Sequence, residues 1–432
     1  MKSGVLEDTE TKTNKALMWT LLIISLIQMP QFAILPGTNL IATEIFPERA
    51  LQTVQTVMSL PGLVAVFAGV AAAMLVRYGF ASKKTMTVFG LSLIALTGLI
   101  AAVLHTRFWQ LCLMNILVGV GIGIFVPSQQ SIMFDNFDEK TRQFISGVSF
   151  SFLNSGGLIM SLLCGWLTTY VWYGGHLQML IAVPIVIIAV IIIPKDKKTR
   201  SPSGNVAVAA AGSEREITQS NENALEGGNA AGRSKIPAKT YYYSLLIVIF
   251  MIVYNVAPVN ISTHLASVGV GNSSTAGVAT AFLMVGGAVF GFAFPKLSKV
   301  LRDYLFAVSF ILMAAGFTLM SLFPASLALT LAAMFLCGST MSILVPRCIF
   351  NVSNLSDPTN SATATMLVCC IAPGGGHFLS PVIMTNLTMA FGGESTQYRF
   401  QFTAFVSLAL AVIMFLYELF RGKATPISRS DR

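Results

Sequence analysis

The residues of this chain that could do chemistry stand singly inside long apolar runs, and most of them are amides. Gln28 and Gln31 lie one helical turn apart and therefore on one face, bracketing Pro30 and followed by Pro36. Later runs carry Asn115, Gln129 and Gln130, then Tyr254, Asn255, Asn260 and His264, then Ser339, Thr340 and Ser342. Amides and hydroxyls donate and accept hydrogen bonds, but they form no nucleophile and no acid–base pair. No Ser-His-Asp set, carboxylate pair or His-rich box converges on one face, so catalysis is not expected. Gln28, Gln31, Asn115, Tyr254, Asn255 and Asn260 are therefore candidate substrate contacts, with bonding to a neighbouring helix as the competing role. His264, close to the end of its run, and His377 are the groups of the usual proton-relay kind within the runs. Together with Glu44, just outside the first run, and Arg347, at the end of the tenth, they are candidates for coupling or gating.

The elements that position these residues follow from composition. Of 432 residues 54% are hydrophobic and only 10% charged, against about a quarter charged in a soluble domain. The solvent for such a chain is lipid. Crossing a bilayer takes about 20 apolar residues as a helix. Twelve runs qualify, at 16–40, 51–76, 85–104, 108–133, 144–169, 177–193, 241–265, 275–294, 304–324, 326–346, 361–389 and 400–417. They are continuously apolar and too long for barrel strands, so an all-α integral membrane protein is expected. The polar, acidic start, Met1 to Lys15, does not read as a secretory leader, which keeps the first run as a span. The six cysteines fall in spans or at a span end without Cys-x-x-Cys spacing and read as packing residues.

The net charge of +9 reports topology rather than nucleic-acid binding. Of the 27 Lys and Arg residues, only Arg49, Arg107 and Arg399 fall on the side away from the N-terminus. By the positive-inside rule both termini are cytoplasmic, in a multi-pass protein of the plasma or inner membrane. Segment 194–240 turns to Ser, Ala, Gly, Asn and scattered charge, a composition that cannot fold alone, and reads as a cytoplasmic linker. The expected organisation is a cytoplasmic segment 1–15, a six-helix bundle 16–193, the linker 194–240, a second bundle 241–420 and a cytoplasmic tail 421–432.

The two halves resemble each other. Gly119 stands eight residues before Pro127, as Gly338 does before Pro346; Phe89-Gly-Leu-Ser pairs with Phe306-Ala-Val-Ser; and Gly156-Gly157 answers Gly374-Gly375-Gly376. Three matches in the same order indicate duplication. A six-plus-six chain with a long central loop resembles the major facilitator superfamily. Arg77-Tyr78-Gly79 is similar to part of that family's motif between spans two and three, although Val76 replaces its acid and Lys83-Lys84 come late. Asn115 occupies the place of a family Arg in span four, and Asn154-Ser155-Gly156-Gly157 stands where many antiporters carry Gly-Pro. The turn Phe137-Asp-Glu-Lys-Thr-Arg142 with Gly147 is similar to the family's entrance to span five. The resemblance implies two pseudo-symmetric six-helix bundles rocking about a midplane site, with spans one, four, seven and ten lining it and two, five, eight and eleven at the seam.

Gly119, Gly123, Gly156, Gly157, Gly286 and Gly287 read as close helix-packing positions; no strand precedes them and no Gly-Lys-Ser/Thr follows, which excludes a phosphate loop. None of the spans as drawn contains Asp, Glu, Lys or Arg. An intramembrane carboxylate is the usual proton-coupling group, and a large organic anion would call for a cation in the cavity. The expected activity is therefore secondary transport of a small neutral, zwitterionic or amphipathic organic molecule by alternating access. Proton-antiport efflux through the histidines or peripheral acids, with protons as a further partner, is one alternative; a non-transporting membrane sensor or binding protein on the same fold is another. The expected partners are the small-molecule substrate and the lipid bilayer, with no nucleic acid, cofactor or metal, and with the monomer as functional unit.

Overall fold

The structure, a computed structural model, describes residues 15–137, 139–194, 236–353, 355, 364 and 366–424. The segment before Lys15, all but the ends of the expected linker, and the tail from 425 lie outside the described residues. Twelve helical spans follow one another: α1 (Lys15–Ile45), α2 (Leu51–Val76), α3 (Lys83–Val103), α4 (Phe108–Met133), α5 (Ser151–Thr168), α6 (Gly174–Ile192), α7 (Ala238–Ser267), α8 (Ser273–Leu301), α9 (Leu305–Leu322), α10 (Leu327–Val352), α11 (Leu367–Ala390) and α12 (Thr396–Phe420). Because successive helices reverse direction, Lys15 and Phe420 share one face, here the terminal face, and the turns at 46–50, 268–272 and 391–395 lie on the far face.

Several spans overrun the apolar runs that announce them. A helix does not stop at the last apolar residue; it continues while a polar side chain can find a protein partner or water. Glu44 thus falls inside α1, His176 inside α6, Arg347 inside α10 and Arg399 inside α12.

The two halves repeat one packing scheme. Helices of the first half pack as α2 with α4, α3 with α4 and α3 with α6; the second half repeats this as α8 with α10, α9 with α10 and α9 with α12. Two seams join the halves, α5 against α8 and α2 against α11, which exchange under the same duplication. The bundle interior holds fully buried Phe125, Phe250, Phe306, Phe310, Phe317 and Phe400. Phe67, Ile191, Phe292 and Phe405 are exposed on the outside, which is costless against lipid tails.

Close helix contacts, both within each half and at the seams, depend on glycine. A Cβ on Gly156 of α5 would fall on the carbonyl of Leu26 in α1, and one on Gly157 would sit 3.0 Å from Met284 Sδ of α8. Gly119 and Gly123 of α4 press on Pro61 and Ala65 of α2, Gly286 of α8 on the Phe335 backbone of α10, and Gly287 lies beside Asn154 of α5. Gly62 of α2 leaves room for His377 of α11, whose Cδ2 would be 2.8 Å from an added Cβ.

Candidate functional site

Two spans are broken in mid-course, and each break carries an amide. In α1 the helix gives way to turns at Leu26–Gln28, where the amides of Leu26, Ile27 and Gln28 reach back only three residues, to the carbonyls of Ile23, Ile24 and Ser25 respectively. Pro30, which has no N–H to continue the ladder, follows the break. In α7 the regular helix Ala238–Tyr254 stops at Asn255 and resumes as Val256–Ser267, with Pro258 in the new first turn. Gln28 and Asn255 therefore occupy corresponding places in the two halves.

Gln28 is buried and donates its Nε2 to Gln129 Oε1 of α4 at 2.7 Å; Gln129 in turn donates to Leu21 O and Ser25 Oγ of α1. Gln31, one turn on, is half-buried, and its Oε1 is buried without a partner among the described residues; Gln130 Oε1 shares that state. Across the seam, Asn255 donates Nδ2 to Met251 O at 2.7 Å, which leaves its Oδ1 to accept from His377 Nδ1 at 2.7 Å. That assignment puts the neutral imidazole's proton on Nδ1 and leaves Nε2 as a buried acceptor with no partner among the described residues. Phe32 of α1 closes the arrangement, its ring centroid 5.2 Å from that of His377 and 6.4 Å from that of fully buried Tyr254, edge-on to both. The structure thus joins Tyr254, Asn255 and His377 of the second half to Phe32 of the first, while Gln28 and Gln31 stand at and just after the α1 break, ahead of Phe32 in the chain, with Gln28 bonded within its own half.

The remaining candidates lie elsewhere. Asn115 is buried in α4, where its Nδ2 bonds the Leu111 carbonyl of its own helix, while Oδ1 has no partner among the described residues. Arg347 donates Nη1 to Ser298 Oγ of α8 at 3.2 Å and lies over the Phe350 ring, inside α10 rather than at its end. Glu44 is exposed near the end of α1, within the span rather than outside it. His264, which the sequence places near a solvated helix end, is instead fully buried: Nδ1 bonds Thr396 Oγ1 at 3.1 Å and its ring meets the edge of Phe400. An open far-face cleft of about 620 Å³ is lined by residues including Ile45, Phe46, Glu48, Arg49 and Phe108, and none of the candidates lines it.

Asn260 belongs to a second cluster that sequence reasoning missed. Its Oδ1 accepts from Gln55 Nε2 of α2 at 3.0 Å and from Arg399 Nη1 of α12 at 2.5 Å, while its Nδ2 bonds Val256 O. The expectations that Arg399 lies outside the membrane region and that the spans are free of charge are both overturned, since this guanidinium sits inside α12 and is only 4% exposed. A signal existed: Thr396, Arg399, Thr403 and Ser407 recur at helical spacing, all four are buried, and together they form a polar stripe on an otherwise apolar helix. His176, the third buried histidine, was missed because the sixth apolar run begins one residue after it.

Comparison with known proteins places this architecture. Residues 20–220 match the family model of the Major Facilitator Superfamily. No curated protein sequence matches the chain. Solved structures do: the nucleoside transporter NupG at 15% identity, covering 93% of this chain and 98% of that one with a TM-score of 0.63. The POT family transporter PepTSo is similar at 11% identity, with 96% and 99% covered and a TM-score of 0.70, and the human organic anion transporter MFSD10 at 12%, with 93% and 99% covered and 0.60. Twelve apolar spans in two repeated bundles, with the first span of each broken at an amide, give this chain the multi-pass fold of these transporters, and its residues 20–220 match the major facilitator superfamily.

Proposed function

We propose that the chain moves a small neutral or zwitterionic organic molecule across the membrane by alternating access, binding it at mid-bundle between the breaks of α1 and α7. The observation that carries this reading is Phe32, just after the α1 break of one half, edge-on to both Tyr254 and His377 of the other, with His377 bonded to Asn255 at the α7 break; Gln28 and Gln31 precede Phe32 in the chain. Unwound helix in a membrane is tolerated where it lines a cavity or is buried in protein, and transporters of this architecture put substrate at such breaks. The groups gathered there supply uncharged donors, acceptors and aromatic faces. They suit hydroxyls, amides or a ring, and they leave a net charge on the cargo unbalanced.

Movement is supported by the distribution of contacts. Among the described residues, the hydrogen bonds between the halves include a group toward the far face: Asn39 N and Pro36 O with Ser262, Gln52 with Val382 O, and Gln55 with Asn260. Releasing these, while the halves turn on the glycine-lined seams, exposes the middle to the far side. The test is reconstitution into liposomes with a panel of uncharged, zwitterionic and anionic solutes, with and without imposed pH and voltage gradients. Saturable uptake of an uncharged or zwitterionic solute supports the reading; binding without translocation across the whole panel would sink it.

A further inference from the structure

Arg399 carries a charge that the described protein does not neutralise. An arginine stays protonated at any physiological pH and offers five N–H donors, yet Arg399 makes a single side-chain hydrogen bond among the described residues, from Nη1 to the neutral amide oxygen of Asn260. Its Nε is buried and unpartnered, and the side chain is only 4% exposed. Among the described residues the one ion pair within 4.0 Å is Arg49 with Glu48, so no carboxylate approaches Arg399; Glu394, in the preceding turn, is exposed. His264 of α7, one helical turn on from Asn260, has its own bond to Thr396. A buried charge left without a counter-charge is among the costliest arrangements a protein can hold.

The geometry also says which side of the guanidinium is open. Asn260 occupies the Nη1 side. The opposite edge, where Nε–H and Nη2 point the same way, is the edge that receives a carboxylate through two parallel hydrogen bonds, and it is unused. Arg399, its chain neighbour Phe400 and its partner Asn260 are all buried, which favours a small ligand. Access is built into the same residues: Arg399 lies in the first turn of α12, at the far face, and the Asn260 oxygen it holds is the one that Gln55 of the other half also holds. Parting the halves at the far face removes Gln55 and uncovers the guanidinium.

We propose that Arg399, with Asn260, is a binding site for a small monovalent anion, a carboxylate group or a halide, that is reached from the far face. It is separate from the mid-bundle cluster and does not depend on what that cluster carries. Bound anion neutralises the guanidinium and favours the closed far face.

The full chain in nanodiscs, melted in sodium formate or chloride with the bulky sulfonate MES balancing ionic strength, tests this. Formate or chloride should raise the melting temperature saturably over MES, by several degrees at about a hundred times Kd. Arg399→Gln should abolish the rise while still melting cooperatively, and Arg399→Lys should keep it with weaker affinity. Zwitterionic solutes that compete with formate would identify the substrate's own carboxylate as the occupant, and failure to compete would identify a free anion. A wild-type melting temperature indifferent to the anion overturns the proposal, and so does an unchanged saturable rise in Arg399→Gln. If Arg399→Gln does not fold, the wild-type titration and Arg399→Lys still decide it.

Discussion

Asn260 and Arg399 are joined by a 2.5 Å hydrogen bond from guanidinium to amide oxygen, and that same oxygen takes Gln55 Nε2 from the other half at 3.0 Å. The charge on Arg399 therefore bears on how firmly the halves hold together at the far face. Asn260→Ala strips the guanidinium of its partner and leaves it buried, which should lower stability by about 3 kcal/mol. Asn260→Asp keeps the shape and adds the missing negative charge. It should pair with Arg399 and strengthen the bond from Gln55, raising the melting temperature while slowing uptake several-fold. Thermal melts and initial uptake rates of the two variants check both; a stabilised Ala variant, or an Asp variant that transports faster, would contradict the latch.

The glycines of α5 and α11 make a sharper contrast, because two of them differ chiefly in surroundings. A Cβ on Gly156 would collide with the Leu26 carbonyl at the break of α1, whereas a Cβ on Gly375 would meet nothing within 4 Å. Gly156→Ala should therefore cost at least about 1–3 kcal/mol through displaced backbone and should impair uptake. Gly375→Ala should be neutral or slightly stabilising, since alanine is the better helix former. Paired melts and uptake assays decide it, and equal behaviour of the two variants would show that the α1–α5 contact is not tight.

Much of this was legible in the residues. Twelve runs of hydropathy named the spans, and Gly119 with Gly338 announced the duplication, because bilayer thickness and close helix contact constrain sequence directly. Partnership was not legible. Nothing in the spacing says that Gln28 bonds Gln129, 101 residues away, or that His377 meets Asn255 across two helices. Arg399 was hidden for a different reason: hydropathy draws a span's edge at the first charge, and so assigns to water the very residue that the fold buries. His264 was misread in the same way, as a helix end near water, when the first turn of α12, through Thr396 and Phe400, packs against it.

Gln31 is the direct test of the mid-bundle reading. Its Oε1 is buried without a partner among the described residues, one turn beyond the α1 break and beside Phe32. If substrate supplies that partner, Gln31→Ala should raise the apparent KM by about 2- to 12-fold, the worth of one neutral hydrogen bond, and leave membrane insertion and melting unchanged. Uptake kinetics of reconstituted protein measure it, and an unchanged KM removes Gln31 from the site.

His377 separates positioning from packing. Its Nδ1 donates to Asn255 Oδ1 at 2.7 Å, its ring packs against the Phe32 ring, and Gly62 of the other half leaves space for it. An asparagine can present its amide N–H where the imidazole presents Nδ1–H, but it has nothing to offer at the position of Nε2. His377→Asn should therefore keep Asn255 in place and preserve folding, while any substrate bond to Nε2 is lost and KM rises. His377→Leu fills similar volume yet leaves Asn255 Oδ1 buried and unsatisfied, which should cost about 1–3 kcal/mol and most of the uptake. Comparing melts and kinetics of the two distinguishes the roles. Equal stability of both variants would mean that the bond to Asn255 does not hold the α7 break, and an unchanged KM in His377→Asn would place the substrate away from Nε2.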